Sequence, residues 1–240
     1  MSRVAIVAAL EREVRPLIRK WRVNERRHEG RSFRFFENDK DDVVLVCGGM
    51  GAEAARRAAE AVIETYSPKM IYSAGFAGAL DSSLKVSEVV EPRRVVNASD
   101  GSSVSLAAGN GVLVSFTSVA SPAQKAKLRD AFAAEVVDME AAAVARAAEA
   151  RGVGFAAVKA ISDDSTFNFP SLERFVDSDG QFLEARFMLF AAIRPWLWPQ
   201  VARLASNSRR ASRALCDRLQ KISLNPVSAS GEMREAVHRQ

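Results

Sequence analysis

Histidine and cysteine are almost missing from this chain, with two of each in 240 residues. His28 and His238 lie far from every acidic motif, which argues against a histidine-dependent hydrolase and a His-rich metal site. Cys47 and Cys216 match no metal or redox spacing, a usage suited to the reducing cytoplasm. No apolar run approaches the ~18 residues that a membrane-spanning helix needs. No secretory leader is expected, because Val4 to Leu10 reads as a first strand. Zinc-finger spacing and RNA-binding aromatic motifs are absent too. The net charge of +5 therefore reads as solvated helix faces rather than a nucleic-acid surface. The basic clusters are Arg12, Arg15, Arg19, Lys20, Arg22, Arg26 and Arg27, and then Arg203, Arg209, Arg210, Arg213 and Arg218.

What remains is ample for one core. The chain is 48% apolar, and one domain over residues 1–222 is expected, with a helical extension from about 179. Residues 223–240, with Pro226, Ser228, Ser230 and Gly231, read as a fraying tail.

Buried-strand runs alternate with helical patterns. Strands are expected at Arg3–Ala9, Phe33–Phe36, Val43–Cys47, Met70–Ala74, Val86–Val96 (broken at Pro92), Val112–Phe116 and Phe155–Ile161. Helices are expected after Leu10, from Gly51 to Tyr66, over Pro122–Ala133 and over Met139–Ala150, with Asn97–Asn110 as a loop. The alternation predicts a three-layer α/β/α fold around a central twisted mixed sheet. Such sheets bind ligands beyond the carboxyl ends of their strands. Two acidic motifs stand at such ends: Val137-Asp138-Met139-Glu140 before an alanine-rich helix, and Ile161-Ser162-Asp163-Asp164 after a strand. They point to proton transfer by carboxylates.

Five segments recur in a familiar order: Ala8-Ala9-Leu10-Glu11-Arg12-Glu13-Val14, Gly49-Met50-Gly51, Ser73-Ala74-Gly75-Phe76-Ala77-Gly78, Val137-Asp138-Met139-Glu140 and Ala160-Ile161-Ser162-Asp163. The order resembles the nucleoside phosphorylase superfamily, most nearly its methylthioadenosine/S-adenosylhomocysteine nucleosidase branch. The resemblance covers roughly residues 3 to 165. It implies cleavage of the N-glycosidic bond of a purine nucleoside, with Glu13 as the base that activates water. Glu140 would hold the ribose hydroxyls and Met139 would pack on the sugar. Asp163, positioned by Ser162, would favour protonation of the purine at N7. Gly75 and Phe76 would border the site, and Val119 and Ala120 would lie along the base.

The departures bear on the nucleophile. Phe76 stands where related enzymes often carry a small hydroxyl residue, and the Val96–Val112 region is short. Leu10-Glu11-Arg12-Glu13 replaces the Gly-Asp-Pro-Gly-Arg-like loop of phosphate users, and Ser73 replaces a second arginine. Glu13 would repel a phosphate dianion and suit water. Arg12, Arg15 and Arg94 keep phosphorolysis open, with phosphate as a co-substrate. No cofactor or metal is implied. A homodimer or larger homo-oligomer is expected by resemblance. The aromatic and basic segment from Phe187 onward is similar to the hopanoid-associated phosphorylase branch. That likeness raises peripheral membrane contact and a lipid-linked adenosine as alternatives, beside a non-catalytic nucleoside binder. Phe167, Phe169, Phe175 and Phe182 read as an apolar lid.

Overall fold

The computed structural model describes residues 3–168, 175, 177, 180, 183, 186–187, 190 and 194–224. Its elements are β1 (Val4–Ala8), α1 (Glu11–Ile18), β2 (Arg22–His28), β3 (Arg31–Asn38), β4 (Val43–Cys47), α2 (Ala52–Tyr66), β5 (Met70–Ala79) and β6 (Val89–Val90). After these come β7 (Arg94–Asn97), β8 (Ser103–Ser105), β9 (Val112–Ser115), α3 (Pro122–Phe132), β10 (Val136–Asp138), α4 (Ala141–Glu149), β11 (Gly154–Asp163) and α5 (Trp198–Leu224).

One mixed sheet of eleven strands organises them, in the order β2-β3-β4-β1-β5-β10-β9-β7-β8, with β11 also paired to β5 and β6. β1 lies parallel to β4 and β5, and β5 runs parallel to β11. The β2–β3–β4 meander and the β5–β10 contact are antiparallel. β1 is buried at all five positions, as a strand covered on both faces must be. On one face the alanine-rich sides of α2 and α4 pack with Ala5, Val44 and Ile71. On the other, Val14 and Ile18 of α1 and Ala211, Leu215 and Leu219 of α5 pack against Ile6, Leu45 and Val158. The architecture is therefore α/β/α, as the alternation of elements predicts.

Three sequence expectations need correction. Arg22, Arg26 and Arg27 lie on an edge strand, not a helix face; β2 pairs with β3 from Arg22↔Glu37 to His28↔Arg31. The Asn97–Asn110 stretch is not all loop, since Ser103–Ser105 forms β8 against β7. The segment Val136–Asp138 is a strand, and the following helix begins at Ala141 rather than Met139. The expected tail falls outside the described residues, except that α5 runs to Leu224. Phe169 and Phe182 of the expected lid, and most of residues 179–193, also fall outside them.

Candidate active site

β1 delivers the chain to Leu10, whose extended backbone caps α1. Glu13 therefore falls in the first helical turn, where an acid suits the helix dipole. It does not face solvent: Glu13 is 6% exposed, and its Oε2 has no hydrogen-bond partner among the described residues. A β-carbon built on Gly75 would stand 3.0 Å from that oxygen, so glycine there lets β5 pass close to the carboxylate. Burial, then the nearby Glu140 charge, pushes the Glu13 carboxyl up to about 8, against the pull of Lys159 and Arg12.

Glu140 occupies the capping position of α4 but spends no side-chain oxygen on that helix. Its carboxylate instead accepts the Gly51 N–H at 2.8 Å and the Met139 N–H at 3.3 Å. The turn between β4 and α2 is thereby tied to the start of α4. Burial and the Asp138 charge raise the Glu140 carboxyl above its ordinary value, while Lys159 opposes them.

Beneath these two acids lies an ion pair that the motifs alone do not announce. Lys159, from the middle of β11, is 1% exposed. Its Nζ stands 2.8 Å from Asp138 Oδ2 and donates to Ser73 Oγ at 3.1 Å. Asp138 also accepts from Ser115 Oγ at 2.6 Å and from the Ala141 N–H at 2.9 Å. Burial pulls the Lys159 ammonium down, but the Asp138 and Glu140 charges outweigh it and hold the group above its usual value. One buried cation thus serves three carboxylates, with Arg12 adding its pull at Glu13, and the deficit is borne by Glu13 and Glu140. A centre built this way attracts positive charge.

Asp163 ends β11, where the register with β5 slips between Ile161 and Asp163. The irregularity at Ser162 re-aims the next side chain, a common use of bulges beside sites. Asp163 accepts from Ser162 Oγ at 2.8 Å and from the Lys125 ammonium of α3. A β-carbon on Gly78 would stand 2.9 Å from its Oδ2, so that position is also closed to side chains. Asp164 turns away from Asp163 and pairs with Arg203 at 2.6 Å. Burial raises its carboxyl, but bonds from Thr166 and the Arg203 charge outweigh that and lower it.

A cavity of about 1120 Å³ joins these groups. Glu13, Phe76, Met139, Glu140, Ser162, Asp163, Val119 and Ala120 all line it, with Asp138, Lys125 and Met50 beside them. Gly75, expected to border the site, is not among its described walls; it adjoins the Glu13 carboxylate instead. Phe76 also packs on the core around Val14 and Tyr72. Arg12 and Arg15 line the same cavity; Arg94 lies on β7 and is not among its described walls. Lys159 and Lys125 escape a search for acidic motifs. The signal for Lys159 was a lone charge inside the apolar run Val158-Lys159-Ala160, which folding can bury only beside a carboxylate. Lys125 had no such signal.

The sequence profile of the phosphorylase superfamily matches residues 3–118 and 108–193. The chain belongs to that superfamily. It is 34% identical over 89 residues to the 5′-methylthioadenosine/S-adenosylhomocysteine nucleosidase of Colwellia psychrerythraea, a match spanning 37% of this chain and 37% of that one. The crystal structure of a nucleosidase of that description from the same organism, in complex with adenine, is similar at a TM-score of 0.61 and 24% identity. It covers 68% of this chain and 83% of the other. The futalosine hydrolase of Helicobacter pylori superposes at a TM-score of 0.65 over 92% of this chain and 98% of its own, at 18% identity. At such identities these structures establish the shared fold.

Proposed function

We propose that the chain cleaves the N-glycosidic bond of a purine nucleoside, a 5′-substituted adenosine, with water as the nucleophile. The observation that carries this reading is the convergence of Glu13, Glu140 and Asp163, from α1, the start of α4 and the end of β11, on one cavity. The adenine held by the Colwellia nucleosidase and the name of the matched relative support the choice of base.

In the proposed reaction, Glu13 accepts a proton from water as the oxygen attacks C1′. The C1′–N9 bond breaks, its electron pair moves into the purine, and N7 takes a proton that Asp163 relays from solvent at the Lys125 end of the cavity, while Glu13 returns its proton to solvent. Positive charge growing on the sugar meets Glu140 and Glu13, which share too little countercharge from Lys159. Met139 packs on the sugar. Val119 and Ala120, in the segment leading to the capping box at Ser121, flank the base. The products are the free purine and the 5-substituted ribose.

Water is favoured over phosphate because the nucleophile's end of the cavity holds buried carboxylates, which repel a dianion. Arg12 and Arg15 among the cavity walls support phosphorolysis as the second reading. Adenine release from methylthioadenosine, with the sugar product analysed with and without phosphate, decides between them. Free sugar and phosphate-independent rates support hydrolysis; ribose 1-phosphate overturns it. Absence of release with retained binding would favour a non-catalytic nucleoside binder.

Trp196 and Trp198 are 70% and 57% exposed at the start of the arginine-rich α5. That pairing supports peripheral contact with anionic lipid and, with it, a lipid-linked substrate. Flotation with anionic liposomes tests it; a protein that stays at the bottom of the gradient contradicts it. Among the described residues, no helix is long and apolar enough to cross a membrane.

A further inference from the structure

The turn that leads from β4 into α2 is held by four successive amides, each with a different acceptor. Gly48 and Gly49 donate to the Ala8 and Ala9 carbonyls at 3.0 and 2.9 Å, carrying on the pairing of β4 with β1. Gly51 donates to Glu140 Oε1 at 2.8 Å. Between them, the Met50 N–H donates at 2.7 Å to the carbonyl of Gly180, a residue far beyond Asp163 in the chain. Met50 and Glu140 both line the cavity. Gly180 therefore reaches the wall of the site through the backbone alone.

Only glycine suits position 180. The residue is buried and has a φ of +75°, where a side chain is strained. A β-carbon there would stand 2.5 Å from the Met50 carbonyl oxygen, 2.9 Å from the Met50 nitrogen and 3.0 Å from Ala54 Cβ. Two of these are backbone atoms, which cannot swing aside as a flexible side chain can. The Met50 carbonyl and the Gly51 N–H belong to one planar peptide unit. Whatever displaces that oxygen also turns the N–H that Glu140 accepts. Gly180 is itself steadied, since its N–H donates to the Asp177 carbonyl at 3.1 Å. Nearby in sequence, Phe175 is buried edge-on against Phe187, with ring centroids 5.4 Å apart.

The Glu140 carboxylate has two backbone donors, Gly51 and its own neighbour Met139. Of the two, Gly51 alone comes from a different element, so the direction of Oε1 follows the plane of the Met50–Gly51 peptide. We propose that Gly180 is a positioning residue for Glu140: its carbonyl fixes that peptide and thereby sets how strictly the site demands a ribose hydroxyl. The inference rests on the reading of Glu140 as the acid that holds the ribose, and adds to it the part of the chain that aims it.

The test uses two probes, 5′-methylthio-7-deazaadenosine and its 2′-deoxy counterpart. A 7-deaza base has no N7 to protonate, so calorimetry reads binding of an intact nucleoside. The wild type should bind the ribo probe about tenfold or more tighter, as a hydrogen bond to a carboxylate would give. Gly180→Ala should shrink that ratio by about threefold or more, and adding it to Glu140→Gln should shrink the ratio no further. Gly30→Ala, at a φ of +80° with nothing within 4 Å of the added carbon, brings similar backbone strain and should keep the wild-type ratio.

A folded Gly180→Ala with the wild-type ratio overturns the proposal, as does an equal fall in the Glu140→Gln background. Should Gly180→Ala fail to fold, amide exchange in the wild type decides. The ribo probe should slow the Met50 and Gly51 amides together, and slowing of Gly51 alone overturns the coupling. Equal binding of the two probes by the wild type overturns it as well; adenine release from methylthioadenosine beside that result leaves the cleavage reading standing. A wild type that prefers the ribo probe and releases no adenine fails as an enzyme, while the variant ratios still decide the role of Gly180.

Discussion

The Lys125 ammonium donates to the Asp163 carboxylate and, at 2.6 Å, to the Asp164 carbonyl oxygen. Lys125 is 2% exposed, so α3 delivers a buried cation to the end of β11, where the proposed leaving base sits. Two acceptors fix the ammonium, and with it the direction of the acid. Asp163→Asn is expected to lower kcat by about 10²–10⁴-fold with an unchanged circular dichroism spectrum. Lys125→Met should lower kcat by about tenfold or more with a smaller change in KM, and Lys125→Arg should recover part of the loss. A Lys125→Met enzyme with wild-type kcat would reduce the ion pair to scaffolding.

Glu13 gives a pH signature. As a base it works only when ionised, and burial with the Glu140 charge puts its carboxyl at about 8. The kcat/KM of the free enzyme should therefore rise roughly tenfold per pH unit below that value and level off above it. Stability should run the other way. A raised carboxyl keeps its proton in the native state after the unfolded chain has lost it. Its contribution is full below the ordinary 4.5 and is lost as pH climbs through about 8. Glu13→Gln, which cannot ionise, should melt progressively higher than the wild type between pH 5 and 8. A melting difference independent of pH would contradict the assignment.

Lys159 and Asp138 are expected to behave as a buried pair. Lys159→Met leaves Asp138 uncompensated and should cost about 3–5 kcal/mol in denaturant unfolding. Because Lys159 opposes the rise of the Glu13 and Glu140 carboxyls, its loss should also move the rising acid limb of the kcat/KM profile to higher pH. The double variant Lys159→Met/Asp138→Leu should recover much of the stability and little of the activity. Recovery of both would leave the pair no role at the site.

The two glycines of β5 test the close approach directly. A methyl at Gly78 would meet Asp163 Oδ2 at 2.9 Å and Lys125 Nζ at 3.2 Å. Gly78→Ala should therefore depress kcat by displacing the acid, while the β5–β11 pairing persists. Gly75→Ala presses on Glu13 at 3.0 Å and should disturb the pH profile instead. Exchange of these two signatures between the variants would contradict the roles given to the acids.

The layers were legible because β1 and β4 are buried on both faces and therefore read as unbroken apolar runs; β5 was legible only to Ala74, since its glycine-bearing end looks like a turn yet continues the strand to Ala79. The edge strand β2 was not. Arg22-Val23-Asn24-Glu25-Arg26-Arg27-His28 has no apolar alternation, because it is mostly exposed and held mainly by backbone pairing with β3. β8 is three residues long, too short to carry a period. At the site, acids at strand ends and helix starts could be read from sequence order. Their cations could not: Lys159 hides in an apolar strand and Lys125 in an ordinary helix, and both find their partners only through tertiary contacts. The wall supplied by α5 was equally hidden. A helix facing a cavity on one stripe and a core on another looks like any amphipathic helix.

The most direct test of the central claim is single-turnover adenine release from methylthioadenosine by the wild type, Glu13→Gln, Glu140→Gln and Asp163→Asn side by side. The account predicts release by the wild type and a loss of about a hundredfold or more in each variant, all four remaining folded. No release by the wild type, or wild-type rates in all three variants, would contradict it.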